Sequence, residues 1–276
     1  ENICRSIIQK KNKNKKFHIG YSSERINPGD KIHNLKNICK VVSIKNDKKI
    51  IPFVKKIYKC ISNKLVITEK IKETELSKLI ENTQRDLNIA LMNEIMILCN
   101  KTNLDFNEVI KLAKTKWNFL NFSPGLVGGH CLPVDPYYLS YYAKKFNFKT
   151  NVTLAGRNTN NYMEKFILNK IVYKINKLNN FKKKKIVVIG LSYKPNVADL
   201  RNSLPMNIFE NLKKKYFKTQ AYDPIINPKI ANKLNIGVSF DKIKNSDVFV
   251  FLVKHKKLKG IVNFAKKNKK IIIDPF

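Results

Sequence analysis

The chain has 276 residues, of which 43% are hydrophobic, so it can build one or two domains with apolar cores and disorder is not expected. No apolar run reaches the roughly 18 residues of a membrane span, and no leader pattern precedes a cleavage site, so we expect a soluble, cytoplasmic protein without membrane contact. The five cysteines are odd in number, widely spaced and without a CxxC pair, which argues against a disulfide framework and against a metal site.

The formal net charge of +35 would ordinarily suggest a nucleic-acid partner. Only five of the 55 basic residues are arginine, however, and the lysines are spread along the whole chain. Nucleic-acid readers use arginine for bidentate contacts and aromatic residues for stacking, and neither type clusters with the basic runs. A composition bias at surface positions explains the charge better, so nucleic acid is not the expected partner.

The first 70 residues have the pattern of the end of an α/β domain. Residues 17–21 have strand character and lead into the polar turn 22–30. Residues 46–62 have a helical pattern, and residues 65–67 are a candidate last strand. We therefore expect the tail of a sheet whose earlier strands are not in the chain.

A long amphipathic helix is predicted to begin near Glu73, because apolar residues then recur at intervals of three and four without Gly or Pro. Lys78, Asn82 and Arg85 lie on one face of this helix, beside the apolar stripe. A solvated polar face is the ordinary explanation of such residues. Further helices are predicted over residues 105–116, 137–146 and 154–178.

The run of residues 124–139 is the best candidate for a reaction centre, since it holds three of the nine glycines and a cysteine just after a tight turn. The glycines are Gly125, Gly128 and Gly129. Glycine lets the backbone approach a ligand closely, and the thiol of Cys131 could then meet a bound carbon atom. The alternative is a buried, inert thiol. A Cys/His protease pair is disfavoured, because His130 and Cys131 point to opposite sides of an extended segment.

Strands alternate with helices after Lys182, which predicts a parallel, Rossmann-like sheet. The predicted elements are strands at 186–189, before Asp223-Pro224, at 248–253 and at 271–274, with a helix at 203–215. Gly190 follows the first of these strands without a GxGxxG pattern, so dinucleotide binding does not follow from that turn. An α/β domain with a purely structural role is the alternative.

Five segments together resemble the UDP-glucose/GDP-mannose dehydrogenase family, within it the branch acting on UDP-N-acetylhexosamines (Vi-polysaccharide type). They are GYSSERINPGD at 20–30, KLIENTQRD at 78–86, KWNF at 116–119 with the glycine run, AGR at 155–157, and GLSYK through DLRNS at 190–203. The resemblance implies an α/β fold in three parts. These are the end of an N-terminal NAD-binding Rossmann domain (1–70), a central long-helix dimerisation and catalytic region (71–180), and a C-terminal UDP-sugar-binding Rossmann-like domain (181–276).

The resemblance also implies the reaction, a two-step oxidation of the sugar's C6 alcohol to a carboxylate with reduction of two NAD+, for surface polysaccharide biosynthesis. Cys131 matches the nucleophile, which would form a thiohemiacetal and then a thioester. Lys78 and Asn82 match the residues that hold a polarised oxygen or an ordered water. Asp135 matches the carboxylate that handles protons with Lys78, and Glu24 matches the acid linked to thioester hydrolysis.

Ligand contacts are implied in the same way. The substrate-binding set comprises Gly125, Gly128, Gly129, Lys194 and Arg157, the last against the sugar or a subunit contact. Arg201 and Glu24 are expected on the cofactor side, and a homodimer is the expected assembly. The motifs favour a UDP-N-acetylhexosamine over UDP-glucose and leave the epimer open.

Two departures from the family shape the expectation for activity. Ser23 stands where the family usually has Pro, which loosens the loop presenting Glu24. The 276 residues contain no GxGxxG turn, so we expect a fragment or truncated gene product that lacks most NAD contacts. Two alternatives stay open, a UDP-sugar-binding or dimerising scaffold without catalysis and, less favoured, a basic nucleic-acid-binding protein.

We predict that a polypeptide of these 276 residues does not oxidise UDP-N-acetylglucosamine with NAD+, because the glycine turn that would cradle the cofactor's pyrophosphate is not in it. The measurement is NADH absorbance with both substrates in excess. NADH formation above the background without enzyme would contradict the prediction.

Overall fold

A computed structural model describes residues 2–12, 16–30, 32–45, 49–216, 218–234, 236–237 and 239–276. The chain divides into two units, Glu1–Asn82 and Thr83–Phe276. The predicted α/β fold class is confirmed. Among the described residues, no helix combines the length and the hydropathy that a membrane span requires.

The first unit is built around a three-stranded sheet. Its elements are helix α1 (Asn2–Lys11), strands β1 (Gly20–Ser22) and β2 (Cys39–Ile44), helix α2 (Ile50–Lys59), strand β3 (Lys64–Thr68) and the beginning of α3. Strand β2 is central, antiparallel to β1 and parallel to β3. Val42 and Ile44 of β2 pack with Val54 of α2 to form the core of this unit.

The sequence predictions for this unit hold with shifted limits. The strand expected at 17–21 is only Gly20–Ser22, and the helix expected at 46–62 is α2, with residues 46–48 outside the described part of the chain. The strand expected at 65–67 is confirmed as β3. Helix α1 was not predicted.

The predicted long helix is confirmed as α3, which runs over 32 residues, Ile71–Thr102. Asn103 ends it in the left-handed region, with φ of 57°. Asparagine is one of the few residues other than glycine that adopts this conformation at a helix end. The division between the two units falls inside this helix, between Asn82 and Thr83.

Three further helices belong to the second unit, α4 (Phe106–Ala113), α5 (Asp135–Lys144) and α6 (Asn151–Asn176). All three were predicted, with limits within three residues of those observed. Asp105 starts α4 by accepting a hydrogen bond from the backbone N–H of Asn107. Pro136 lies in the first turn of α5, where its missing N–H costs no helical hydrogen bond.

The C-terminal part of the second unit is the predicted parallel sheet. Its elements are β4 (Ile186–Ile189), α7 (Leu204–Lys215), β5 (Thr219–Tyr222), α8 (Pro228–Lys233), β6 (Val248–Phe251), α9 (Lys259–Lys267) and β7 (Ile271–Ile273). The strands lie in the order β5-β4-β6-β7 and every pair is parallel. The short helices α8 and α9 were not predicted.

Strands β4 and β6 form the centre of this sheet and are buried along their whole length. On one face Val188 packs among apolar residues of α6 and α7, such as Ile167 and Phe209. On the other face Phe249 packs against residues of α9, such as Ile261. Burial of each such side chain stabilises the folded state by roughly 1.5–3 kcal/mol. Because both faces of these strands are buried, their sequences are continuous apolar runs.

A polar network is buried between α3 and α6. Both Asp86 and Asn160 are fully buried, and Arg157 is 2% exposed. The guanidinium of Arg157 donates to Asp86 Oδ1 (2.5 Å) and to Asn161 Oδ1 (2.6 Å). Asn160 Nδ2 donates to Asp86 Oδ1 (2.7 Å), and Asn93 Nδ2 donates to Asn160 Oδ1 (2.8 Å).

Candidate functional site

The predicted glycine turn lies against the segment that follows β4. Asn202 Nδ2 donates to the carbonyl oxygen of Gly129 (3.1 Å), and the N–H of Gly129 donates to the carbonyl oxygen of Asn202 (3.4 Å). A Cβ on Gly128 would stand 2.5 Å from that same carbonyl oxygen, so only glycine allows this approach. The structure thus joins two segments, 73 residues apart in sequence, that were both expected to face the ligand.

The ring of Tyr193 covers this turn. Gly129 has φ of 87°, and a Cβ there would stand 2.9 Å from Cε2 of Tyr193. Burial raises the pKa of the Tyr193 phenol, and so do the negative charges of Asp199 and of an ionised Cys131. No role was predicted for Tyr193, although it lies within one of the five motif segments. Its place directly before the predicted binding residue Lys194 was the sequence feature that could have indicated a role.

Cys131 carries an exposed thiol just before helix α5. Its carbonyl oxygen accepts the N–H of Val134 (3.1 Å) and the N–H of Asp135 (2.9 Å), which closes the turn into the helix. The exposure of Cys131 contradicts the alternative of a buried thiol. Asp135 is the first residue of α5, where a carboxylate is favoured by the helix dipole, and it is half-buried.

Asn93 fixes the beginning of the glycine turn. Its Nδ2 donates to the carbonyl oxygen of Gly125 (3.0 Å), and its Oδ1 accepts the N–H of Gly125 (2.9 Å). A side chain that pairs with both backbone groups of one residue sets that residue's orientation as well as its distance. Asn93 was not predicted as a site residue, although an asparagine between the core residues Met92 and Met96 of a helix indicates a polar contact inside the core.

Two predicted cationic residues follow β4. The ammonium of Lys194 lies 5.7 Å from the centre of the Tyr193 ring, and the side chain is half-buried. Arg201 is 70% exposed and binds Asp199 through two parallel contacts, Nε to Oδ1 (3.0 Å) and Nη2 to Oδ2 (2.7 Å). The hydrogen bonds from Arg201 hold the pKa of Asp199 below its ordinary value.

The structure places Arg157 in the buried network of α3 and α6, where Asp86 and Asn161 bind its guanidinium. It also lies 6.0 Å from the ring centre of Tyr137 in α5. These contacts give it a role in holding three helices together. Nothing in this placement supports the expected contact with the sugar, which stays a prediction.

In the first unit, Glu24 lies in a loop that Lys40 anchors. Lys40 is 8% exposed, and its ammonium donates to the carbonyl oxygen of Ser23 (2.8 Å) and lies 4.0 Å from Glu24 Oε2. Glu24 Oε1 accepts the N–H of Ile26 (2.6 Å). The loosening expected from Ser23 in place of Pro is therefore opposed by the buried ammonium of Lys40, a contact that was not predicted.

The same loop is tied to helix α3 by Arg25. Its guanidinium binds both carboxylate oxygens of Glu81, at 2.9 Å and 3.1 Å, and donates to the carbonyl oxygen of Cys39 (3.0 Å). Glu81 directly precedes Asn82, which is buried, and Lys78 lies one turn earlier on the same helix face and is half-buried. The first unit thus links the loop of Glu24 to the helix of Lys78 and Asn82.

Comparison with known proteins agrees with these motifs. Residues 72–162 match the model of the UDP-glucose/GDP-mannose dehydrogenase family, central domain, and residues 187–276 match that family's UDP binding domain. The chain belongs to the UDP-glucose/GDP-mannose dehydrogenase family. The predicted resemblance is confirmed, and both the Cys131 loop and the Lys194 segment lie within family domains.

Relatives and solved structures of this family span the same region. The chain is 42% identical over 247 residues to Protein CapL of Staphylococcus aureus, covering 88% of this chain and 58% of that protein. It is 38% identical over 250 residues to UDP-N-acetyl-D-glucosamine 6-dehydrogenase of Salmonella typhi, covering 89% and 59%. The structure of UDP-D-ManNAc dehydrogenase from Pyrococcus horikoshii superposes with a TM-score of 0.80 at 26% identity, covering 96% and 63%. The chain therefore spans less than two thirds of the length of these family members.

We expect Gly128→Ala and Gly129→Ala to lower the free energy of unfolding by about 1–3 kcal/mol, because the new methyl groups collide with Asn202 and Tyr193 or strain a positive φ. Gly125→Ala is the matched control, since a Cβ there meets no atom within 4 Å. It should change the free energy by less than about 0.5 kcal/mol. Urea unfolding measures all three, and equal effects would contradict the described packing.

Proposed function

We propose that this chain supplies the catalytic thiol and the nucleotide-sugar site of an NAD-dependent dehydrogenase. Its substrate would be a UDP-N-acetylhexosamine oxidised at C6 for surface polysaccharide synthesis. The observation that carries the proposal is the contact of Gly128 and Gly129 with Tyr193 and Asn202, because it joins the turn that directly precedes the exposed Cys131 to the segment that contains Lys194. Relatives named UDP-N-acetyl-D-glucosamine 6-dehydrogenase and UDP-N-acetyl-D-mannosamine dehydrogenase support the substrate class.

The proposed role of Cys131 is covalent catalysis at the aldehyde stage. Its thiolate adds to C6 of the aldehyde, a C–S bond forms, and the carbonyl oxygen takes a proton to give a thiohemiacetal. Loss of a hydride and of the hydroxyl proton leaves a thioester. Water then attacks the thioester, the C–S bond breaks, and the carboxylate leaves with the thiol regenerated. NAD+, when bound, supplies the hydride acceptor for both oxidations.

The remaining residues are assigned by chemistry and resemblance. Lys78 and Asn82 offer an ammonium and an amide from one face of α3, which suit an oxygen that develops negative charge. Asp135 would serve as a carboxylate that handles protons in the reaction, a role that the resemblance implies. Glu24 would take a proton from the water that hydrolyses the thioester, and the ammonium of Lys40 lies 4.0 Å from its carboxylate.

The residues of this chain fit the cofactor in part. The exposed guanidinium of Arg201 is suited to a phosphate, and its planar fork already binds a carboxylate in two parallel contacts. The 276 residues contain no GxGxxG turn for the pyrophosphate. We assign Arg201 and Glu24 to the cofactor side of the site. Because the glycine turn is not in these residues, the absence of turnover by this polypeptide alone stays a prediction. The cytoplasmic location also stays a prediction.

We further propose that two copies pair through the central helices. Leu91 and Leu98 lie two turns apart on α3 and are 53% and 52% exposed. Tyr141, in the last turn of α5, and Phe146, two residues after the end of α5, are both 66% exposed. Large exposed apolar side chains on one helix face, such as Leu91 and Leu98, are typical of a protein interface, and a second copy of α3 would cover them.

UDP-N-acetylglucosamine should slow the alkylation of Cys131 by iodoacetamide at least roughly tenfold when the ligand is present at ten or more times its Kd, because the bound sugar covers the thiol. Alkylation is measured for each cysteine by peptide mass spectrometry. Cys4 and Cys60 are also exposed and serve as internal controls whose rates should not change.

Lys194→Ala should remove this protection, since the ligand then binds more weakly, while its Cys131 should react as fast as the unliganded wild-type thiol. Equal labelling of Cys131 with and without ligand, in a preparation that binds UDP, would argue against a thiol beside the sugar. Protection of all three exposed cysteines would indicate a general change of shape instead.

The wild-type chain should have a molar mass in solution about twice the 32.1 kDa of one copy. Leu91→Glu combined with Leu98→Glu should give a single copy, because two carboxylates cannot be buried unpaired in the interface. Gln84→Glu, at another exposed position of α3, is the charge control and should remain a dimer. Light scattering after size exclusion measures the mass, and a monomeric wild type would refute the pairing.

A further inference from the structure

His255 is a buried polar residue that the proposed reaction does not use. It follows strand β6, and its side chain has no exposed surface. Its Nδ1 accepts the backbone N–H of Asn196 (2.9 Å), and its Nε2 lies 3.1 Å from Asp223 Oδ2. An acceptor nitrogen carries no proton, so the imidazole is neutral and Nε2 donates its proton to the carboxylate of Asp223.

Asn196 forms two hydrogen bonds with the segment of His255 and Lys256. Its Oδ1 accepts the backbone N–H of Lys256 (2.9 Å), while its own N–H is held by His255. Asn196 has φ of 62°, in the left-handed region, and it is exposed. Asparagine tolerates this backbone conformation, and the two hydrogen bonds fix the chain where it turns.

Asp223 fixes the other end of the same segment. Its Oδ2 accepts the N–H of Leu191 (2.7 Å) and the N–H of Ser192 (3.1 Å) as well as the proton of His255. Burial raises the pKa of Asp223, but these hydrogen bonds favour the carboxylate more, and the pKa lies below its ordinary value. The buried pair of His255 and Asp223 therefore holds the backbone on both sides of Lys194.

Lys194 lies in the middle of residues 191–196, whose backbone these hydrogen bonds fix and which we call the held segment. Ser192 Oγ donates to its carbonyl oxygen (3.0 Å), and its ammonium lies 5.7 Å from the centre of the Tyr193 ring that covers the glycine turn. A flexible lysine loses less conformational entropy on binding when its backbone is already fixed. The segment is thus prepared to present one cation beside the Cys131 loop.

We propose that His255 is a positioning residue for nucleotide binding, which holds the backbone of Lys194 so that its ammonium meets the diphosphate of the UDP-sugar. The inference rests on the proposed function, in which Lys194 binds that ligand. His255 itself is fully enclosed and touches the ligand through no atom of its own. Its contribution is therefore expected in the affinity for UDP and only through Lys194.

Two amide substitutions separate the two contacts of the imidazole. His255→Asn places an oxygen near the position of Nδ1 and can still accept the N–H of Asn196. His255→Gln places an amide near the position of Nε2 and can still donate to Asp223, but it leaves the N–H of Asn196 without its acceptor. The two variants are similar in polarity and differ in which contact they keep.

UDP binding to the 276-residue chain is measured by isothermal titration calorimetry. We expect His255→Gln to raise the Kd for UDP roughly three- to tenfold and His255→Asn to raise it less than about threefold, as the loss or retention of one hydrogen bond to the held segment predicts. Amide exchange of Asn196 should accelerate in the first variant and stay slow in the second.

A double-mutant cycle with Lys194→Ala tests whether His255 acts through Lys194. In that background, His255→Gln should cause no further loss of UDP affinity, since the cation that it positions is absent. Additive losses would overturn the proposal, because a general structural role would weaken binding whatever stands at position 194. Equal UDP affinity in the wild type and His255→Gln would also overturn it.

Failure of the proposed function gives a different result. A wild-type chain that does not bind UDP, or binds it equally well with Lys194→Ala, would refute Lys194 as a ligand residue and this inference with it. UDP binding that requires Lys194 and ignores His255 refutes the positioning role alone.

Asn196 provides a second route if His255→Gln does not fold, because it lies at the surface. Asn196→Gly keeps the left-handed backbone but loses the contact with the N–H of Lys256, and it should weaken UDP binding about two- to fivefold. Asn196→Asp keeps an oxygen for that N–H and should bind UDP within about twofold of the wild type. Equal UDP affinities of the two variants would contradict the proposal that the contacts of Asn196 help to position Lys194.

Discussion

The fully buried carboxylate of Asp86 sets the arrangement of the central helices. It accepts hydrogen bonds from Arg157 and Asn160 across the contact of α3 with α6. Burial raises its pKa above the ordinary value despite the attraction of Arg157. Removing one partner of such a buried pair commonly costs about 3–5 kcal/mol, so the helices are held in one register. Asn160 then binds Asn93, which fixes Gly125, and the position of the Cys131 loop follows from that chain of contacts.

The elements that could be predicted from the sequence are those whose burial is continuous or strictly periodic. Strands β4 and β6 are buried on both faces and read as apolar runs, and α3 carries its period without a break. Cys131 and its glycines are a candidate site in the sequence itself, whereas the roles of the other site residues came from the family resemblance. The contacts that hold them did not, because Asn93, Lys40 and His255 act on backbone groups far away in sequence. No local sequence pattern predicts which carbonyl oxygen will accept a hydrogen bond from a buried amide or ammonium.

The scarcity of arginine becomes informative once the contacts are known. Arg25, Arg157 and Arg201 each bind more than one oxygen, and Arg25 and Arg201 each grip both oxygens of one carboxylate. A lysine ammonium is a point charge and cannot reproduce that planar fork. In a chain where lysine fills most basic positions, arginine remains where geometry as well as charge is needed. This supports a composition bias as the source of the net charge.

The approach of Gly128 and Gly129 to Asn202 is made in large part by main-chain atoms. This contact therefore does not depend on side chains at neighbouring surface positions, and lysine can fill those positions without altering the distance between the two segments. Substitution is restricted at only a few positions, such as Gly128 and Gly129, where a single added carbon atom would collide with the facing segment. A lysine-rich surface and a fixed spacing between the segments of Cys131 and Lys194 are then compatible properties of one chain.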